Sequence, residues 1–598
     1  MFHQRFSRQA LNLAFDRIIP GWMRLLVRRS ESGMVALAAV VGALAGVAVY
    51  AVAATAQLAH ELFFGLQSEE RLSGTLGLPV ILAVSMPAVG GILLGLVNLM
   101  LARGRSARPV DPIEANALHG GRLSLTGSVI VVVQTWISNA FGASVGLEAA
   151  YSQIGSGIAS RLGLGFHLRR ADLRLLVGCG SAGAIAGAFS APLTGAFYAF
   201  EIIIGTYAVS HLAPVAAAAI AGTIVTHLLG IDSYAFVIDV GYKPQASSFV
   251  ALVGLGLFSA AVAILVMLGV AMTEKGFRRL PLPIWLMPGL GGLMVGGLAL
   301  ITPQVLSSGH GALVKMLAGG ELPMLMLGGL ILLKGLASSI SLGSGFRGGL
   351  FFASLFLGAL VGQFYLGGIH LFSLDTGLTP HAAALTGMAA LAASVMGGPL
   401  TMSFLVLEMT GDFQLTAAVL LAVIIASITV RETFGYSFAT WRFHLRGEAI
   451  RSAHDIGWAR DLTVGRVMRK PAPTVDKDAS LVVFRNANPL GTTHYIVAVD
   501  TLTNRYAGLI RVADAYQVSS EIQDGANPIG ELALYRDVVL TAGMTLKEAT
   551  ERMEGCEAEA LAVVDEAGHV IGLLSEAHAL RRYAEAADRA RRDLAGAV

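Results

Sequence analysis

From Met34 to about Thr429 the chain is a succession of apolar runs, several long enough to cross a lipid bilayer, and that pattern alone dictates a polytopic membrane domain. Met34 to Leu58, Leu78 to Leu101, Phe249 to Met272 and Ile284 to Ile301 are the clearest spans, and at least ten helices are expected. Other stretches, such as Gly142 to Gly157 and Gly343 to Gly362, are short and broken by glycine, the pattern of helices that stop inside a protein. Hydrophobic residues make up 55% of the chain and charged ones 14%, too apolar a balance for an ordinary soluble enzyme. The charge is also segregated: residues 441–598 hold 41 of the 82 charged side chains, so a soluble domain follows the membrane domain. A net charge of +2 gives no reason to expect a nucleic-acid partner, and two distant cysteines, Cys179 and Cys556, make no disulfide framework. Arg5, Arg8, Arg17, Arg24, Arg28 and Arg29 outweigh Asp16 and Glu31 in segment 1–33, which carries no cleavable signal pattern, so the amino terminus is expected in the cytoplasm. An even number of crossings would put the carboxyl-terminal domain on the same side of the cell membrane.

The chain also resembles itself. Gly142, Gly146, Leu147, Ala150 and Gly155 reappear 203 positions later as Gly345, Gly349, Leu350, Ala353 and Gly358. Gly180, Ala182, Ala186, Pro192, Leu193, Thr194, Phe197 and Glu201 reappear 207 positions later as Gly387, Ala389, Ala393, Pro399, Leu400, Thr401, Phe404 and Glu408. Pro-Leu-Thr followed by Glu at the same interval, twice, is hard to obtain by chance. Duplicated halves with interrupted helices are a common way to build a transport site at the bilayer midplane, where helix amino termini offer unpaired N–H groups and partial positive charge to an anion. The segments around Glu148 and around Leu350 and Phe351 are the candidates.

Glu148 interrupts an otherwise uncharged stretch, Phe141 to Gly155. A carboxylate at membrane depth must be paired, protonated or near water. At a helix start it can occupy an anion site itself, and protonation would release it, a gate that couples proton and anion occupancy. The competing reading is a structural cap on backbone N–H groups.

On these residues the chain resembles the CLC family of chloride channels and proton-coupled chloride antiporters, over roughly residues 34–445. Gly146-Leu-Glu-Ala-Ala150 is similar to the family's Gly-Arg/Lys-Glu-Gly-Pro segment, and Gly349-Leu-Phe-Phe-Ala353 to its Gly-x-Phe-x-Pro segment. Ala191 to Gly195, Glu408 to Gly411 and Tyr436 fit in order as well. The resemblance implies an all-α membrane domain of two inverted repeats and a homodimer with a pathway in each subunit, voltage-gated in many members. It assigns the gate to Glu148 and anion binding to the amides of Leu350 and Phe351 and the hydroxyl of Tyr436. The family's first anion loop falls on Arg108 to Pro112, so its coordinating serine becomes Pro109, as in nitrate-preferring members; Arg108 and Asp111 could instead pair at the cytoplasmic rim. The inner proton glutamate of antiporters falls on Ile202, which carries no proton. Glu201, one residue earlier, is the candidate proton path, set against a structural role shared with Glu408.

After Arg446 the pattern becomes short alternating strands and amphipathic helices. It occurs twice and resembles a CBS domain pair, residues 460–518 and 527–587, an α/β cytoplasmic unit joined by a linker at 446–459. Such pairs often bind an adenine nucleotide, which implicates Asp514 and Ser575. Arg511 replaces a hydroxyl residue in the first copy and His578 an aspartate in the second, so each copy is half complete and a structural or dimerising role stands beside nucleotide binding.

The resulting expectation is transport of small monovalent anions, chloride and also nitrate, as a channel or with weak proton coupling; a proton-coupled antiporter is the alternative. A CBS-regulated divalent-cation transporter would need clustered carboxylates in the spans, and the apolar runs carry isolated ones. No enzyme is expected, since no nucleophile with a base, metal-ligand spacing or phosphate loop occurs; His310 reads as a loop histidine and Lys334 as a helix-end lysine.

Overall fold

The computed structural model describes residues 20–67, 70–75, 77–103, 109–230, 245–319, 322–373, 376–435, 437–438, 440–441, 462–517 and 527–595. The expected linker at 446–459, Tyr436 and Arg108 therefore lie outside the described residues. The chain divides into two units, Met1–His454 and Asp455–Val598.

In the first unit the helices run α1 Gly21–Arg29, α2 Glu31–Phe64, α3 Val80–Arg103, α4 Pro112–Leu118, α5 Leu125–Ala140, α6 Glu148–Gly165, α7 Arg170–Phe189 and α8 Pro192–Tyr198. A π-helical turn, Ala199–Ile204, continues α8. α9 Val209–Leu228 closes the first half, and the second follows as α10 Ala246–Arg279, α11 Met287–Ala299, α12 His310–Ala318, α13 Met324–Ser344, α14 Phe351–Leu371, α15 Pro380–Met396, α16 Pro399–Thr410 and α17 Phe413–Thr433. Proline occupies the first turn of α4, α8, α15 and α16, where its missing N–H costs nothing. The side chains of Asp111, Ser124, Thr379 and Asp412 accept from backbone N–H groups at the starts of α4, α5, α15 and α17.

Eight of the described helices are long and apolar enough to cross a membrane, and five apolar ones are shorter. The span expected at Ile284 to Ile301 is among the short ones: a 3₁₀ turn, Ile284–Leu286, leads into the 13-residue α11. Its glycines serve close packing rather than length. A Cβ on Gly292 would lie 2.0 Å from the carbonyl oxygen of Pro87 in α3, so the two backbones touch. Large apolar side chains such as Leu325, Val209 and Leu332 face outward, as suits hydrocarbon.

The duplication seen in the sequence is a duplication of contacts. In the first half α6 crosses α7 where Gly155 and Gly180 each sit 2.2 Å from where the other's Cβ would stand, measured to the carbonyl oxygen. In the second half α14 crosses α15 at Gly358 and Gly387, with both distances 2.4 Å. Helices this close tolerate no side chain at either position.

The second unit holds two three-stranded sheets of the same order. In one, β1 (Thr474–Asp476) runs parallel to β2 (Tyr495–Asp500), which is antiparallel to β3 (Arg505–Arg511). In the other, β4 (Leu540–Thr541) runs parallel to β5 (Ala560–Val564), which is antiparallel to β6 (Val570–Ser575). Both carry a register shift late in the middle strand, at Ala498/Val499 and Val563/Val564. The leading strands β1 and β4 are additions to the expected strand, turn, strand and helix. Cross-bridges are reciprocal: Thr463 pairs with Thr545, and Ser480 with Pro528. The ion pair of Lys477 with Asp500, 2.8 Å, holds the Asp500 carboxyl below its ordinary range.

Candidate functional site

Two loops, one from each half, meet at the centre of the first unit. Gly146 and Gly349 exchange both backbone hydrogen bonds, N–H to carbonyl at 3.0 and 3.2 Å. Each loop is also caught by a serine of the other half. The amide of Ser144 donates to Ser341 Oγ at 2.9 Å, and the amide of Arg347 donates to Ser138 Oγ at 3.0 Å. Positions 144 and 347, like 138 and 341, differ by 203, so one contact is the repeat image of the other. The first loop is pinned further by Asn139, whose Nδ2 donates to the Val145 carbonyl at 2.9 Å and to Ser307 Oγ at 3.0 Å.

Glu148 begins α6 immediately beyond this bridge and is 2% exposed. Its Oε1 accepts from the amide of Phe351, the first residue of α14, at 2.6 Å. Its Oε2 is buried with no hydrogen-bond partner among the described residues. The carboxylate fits because both bridging residues are glycine: a Cβ on Gly146 would lie 1.9 Å from Oε2, and one on Gly349 2.4 Å from Oε1. Glu148 forms part of the wall of a cavity of about 130 Å³ that Pro109, Asp111, Glu114, Tyr198, Ile202, Arg347 and Leu350 also line. The structure thus brings Glu148, Leu350, Phe351 and Pro109 together around one cavity and one helix start. Pro109 contributes neither a hydroxyl nor an N–H to it. Asp111, beside it, accepts from the Ile113 amide at 2.9 Å as the cap of α4.

Glu201 stands apart from this cavity. Both its oxygens take up the start of α16: Leu400 N at 2.9 Å, Thr401 N at 2.8 Å and Thr401 Oγ1 at 2.6 Å. Tyr207 adds its hydroxyl at 3.0 Å. Glu408 does the same for α8, accepting from Leu193 N at 2.7 Å, Thr194 N at 2.8 Å and Thr194 Oγ1 at 2.7 Å. The π turn that holds Glu201 turns Ile202 toward the cavity while Glu201 faces α16.

Two sequence readings need correction. Lys334 is no helix-end lysine but sits inside α13, 1% exposed, its ammonium donating to the carbonyls of Val305 at 3.2 Å and Ser307 at 2.8 Å. Its apolar neighbours on α13 hid it, since a snorkelling lysine has the same sequence context. His310 is no loop histidine; it opens α12 and lies edge-on against Phe352, ring centroids 5.2 Å apart. Sequence reasoning also passed over Arg347, Glu114 and Tyr198. Arg347 could have been found by the rule that found Glu148, a charge inside a glycine-rich apolar segment.

In the second unit Asp514 lies in a helix after β3, Val512–Gln517, and Ser575 ends β6, one in each half. The guanidinium of Arg511 sits 5.8 Å from the ring of Tyr495, whose hydroxyl donates to Glu559 at 2.6 Å.

A membrane unit built from two interlocked repeats, with an anion-competent helix start at their crossing, defines an ion-transport protein. The family model described as voltage gated chloride channel matches residues 90–431, and that of the CBS domain matches residues 529–585. The chain belongs to the CLC family. It is 31% identical over 400 residues to the voltage-gated ClC-type chloride channel ClcB of Salmonella dublin, covering 66% of this chain and 95% of that protein. Identity to ClcB of an Escherichia coli strain is 29% over 399 residues, with the same coverage. Among solved structures, a slow cyanobacterial Cl⁻/H⁺ antiporter superposes with a TM-score of 0.61 at 20% identity, covering 69% of this chain and 97% of that one. A eukaryotic CLC transporter superposes with a TM-score of 0.58 at 17% identity over 93% of this chain and 99% of that one. Family membership points to anion transport rather than catalysis and sets aside the divalent-cation reading.

Proposed function

We propose that the chain is a homodimeric protein of the cell membrane, both termini cytoplasmic, in which each subunit carries small monovalent anions, chloride and nitrate among them, past a gate formed by Glu148. The observation that carries this reading is the Glu148 carboxylate seated on the Phe351 amide with its second oxygen unpartnered. A position that holds a carboxylate holds a free anion once protonation releases the side chain. The amides of Leu350 and Phe351, the loop at Pro109 and the hydroxyl of Tyr436 form the rest of the binding site.

Weak or absent proton coupling follows from Ile202, which gives the cavity wall neither a proton carrier nor a partner for water, and from Glu201, whose oxygens are committed to α16. The relatives named as channels agree with this. A second reading, proton-coupled antiport, is favoured by one observation: Glu114 lines the same cavity as Ile202 and brings a carboxyl to it. The half-complete CBS pattern supports a structural or dimerising role for the second unit, with an adenine nucleotide at Asp514 and Ser575 as its alternative.

Liposome flux with simultaneous anion and proton recording tests the whole reading. Anion flux rising as pH falls in the wild type, and flux insensitive to pH in Glu148→Ala, is the expected result. Unchanged pH dependence in that variant would sink the gate, and stoichiometric uphill proton movement driven by an anion gradient would establish antiport.

A further inference from the structure

Tyr198 is the last residue of α8, immediately before the π turn, and it is buried. The helix that carries it is held firmly. Glu408 caps its start, and a Cβ on Gly195 would lie 2.5 Å from the Ala182 carbonyl oxygen of α7, so the two backbones touch. From this base the Tyr198 ring packs near that of Phe351, centroids 6.3 Å apart, and lines the cavity that Glu148 and Pro109 share. Its hydroxyl is hydrogen-bonded to Ser152, one turn beyond Glu148 on α6, and lies within electrostatic reach of the Glu148 and Asp111 carboxylates.

Ser152 opens a chain of buried hydroxyls. Ser152 and Ser181 are 2.7 Å apart, Ser181 and Ser156 2.8 Å, and Ser156 donates to the Val177 carbonyl at 3.1 Å. Packing alone does not call for them, since Ala159 and Ala184 serve the same crossing of α6 and α7 without hydroxyls. Two arrangements of the hydroxyl protons are open to the chain. In one, every proton points toward Val177 and Tyr198 donates to Ser152. In the other, Ser156 donates to Ser181, Ser181 to Ser152 and Ser152 to Tyr198, which leaves the Tyr198 O–H to donate into the cavity. The second gives up one neutral bond, to a carbonyl inside α7 that already serves the helix, and gains one to an anion, about twice as strong.

We propose that Tyr198 is an anion-coordinating residue of the cavity, its hydroxyl supplying the donor that Pro109 lacks, and that the chain of Ser152, Ser181 and Ser156 turns over to present it. The proposal rests on the anion-transport reading above and adds a binding residue to the same site. Ser152 as partner does not consume the donor, because a hydroxyl that accepts a bond keeps its own proton. The chain ends on a main-chain carbonyl, which has no proton to pass on, so it reorients without conducting and leaves the weak coupling inferred from Ile202 as it stands.

The test has two arms. Calorimetric titration of chloride into the purified full chain in detergent should give a dissociation constant about five- to tenfold higher for Tyr198→Phe, which keeps the ring beside Phe351, than for the wild type. Independently of any variant, bromide located by its anomalous scattering in crystals of the wild type should sit within hydrogen-bond distance of the Tyr198 hydroxyl. Wild-type affinity retained by Tyr198→Phe would overturn the proposal, as would bromide in the cavity out of reach of that hydroxyl. If Tyr198→Phe does not elute as a single peak, the bromide position decides alone. A wild type that binds no halide in either arm would instead sink the anion-transport reading, so the two failures are distinguishable.

Discussion

Each half of the membrane unit sets carboxylates on helix starts of the other, and the two instances differ in one respect. Glu201 and Glu408 are exchanged symmetrically: each caps the other repeat's Pro-Leu-Thr helix with three short hydrogen bonds. Glu148 caps α14, but the residue 203 positions on is Phe351, so nothing is given back. The symmetric pair has its acceptor capacity matched by donors from both sides. The unreciprocated carboxylate keeps a buried oxygen without a partner. A buried polar atom left unmatched costs free energy in a resting fold and is retained where it is used. Broken symmetry, more than burial or charge, separates the candidate gate from the clamps.

The largest effect expected from this contrast is on stability. Glu201→Ala leaves three donors at the start of α16 without their acceptor and should cost roughly 2–4 kcal/mol, read as a fall in thermal midpoint in detergent, whereas Glu148→Ala should leave the midpoint nearly unchanged. Equal losses in the two variants would erase the distinction between clamp and gate. A smaller effect, on coupling, should follow Ile202→Glu: it places an acid on the cavity wall that Glu201 does not reach, and proton movement accompanying anion flux should rise above the wild type. No change in proton movement would move the proton route elsewhere. The smallest effect lies in the second unit, where Lys477 and Asp500 form a half-exposed pair. The Asp500 carboxyl is held low by Lys477, so the pair's contribution is present above the ordinary carboxylate pKa of about 4 and is lost as pH falls through the lowered folded value. Lys477→Met should lower the melting temperature of this unit slightly at pH 7 and not at pH 2; an equal shift at both would assign the loss to packing.

Much of this architecture is legible in the chain. The Pro-Leu-Thr and Glu pattern, read as a duplication, is the set of residues that interlock the repeats, and Glu148 was singled out by charge in an apolar segment. What the sequence could not supply is direction. Nothing in the chain says that Glu201 meets Thr401 rather than its own surroundings, because the partners lie 200 positions apart. Nor could periodicity tell that the apolar run after Ile284 is a short helix, since apolar residues that pack on α3 and those that face lipid look alike. A regular helix would leave the orientation of Glu201 and Ile202 open; the π turn, invisible to pattern reasoning, settles it.

The doubled bond between Gly146 and Gly349 has a mechanical meaning. With Ser138 and Ser341, both buried, it ties the two loops at four amide contacts, so neither half can tilt without breaking hydrogen bonds. Any opening is then left to the few rotatable bonds of Glu148, and side-chain rotation is fast compared with the sliding of whole helices. On the proposed gating by Glu148, the tied loops are the frame against which one side chain swings, and the pace of opening would follow the arrival of a proton rather than the movement of helices.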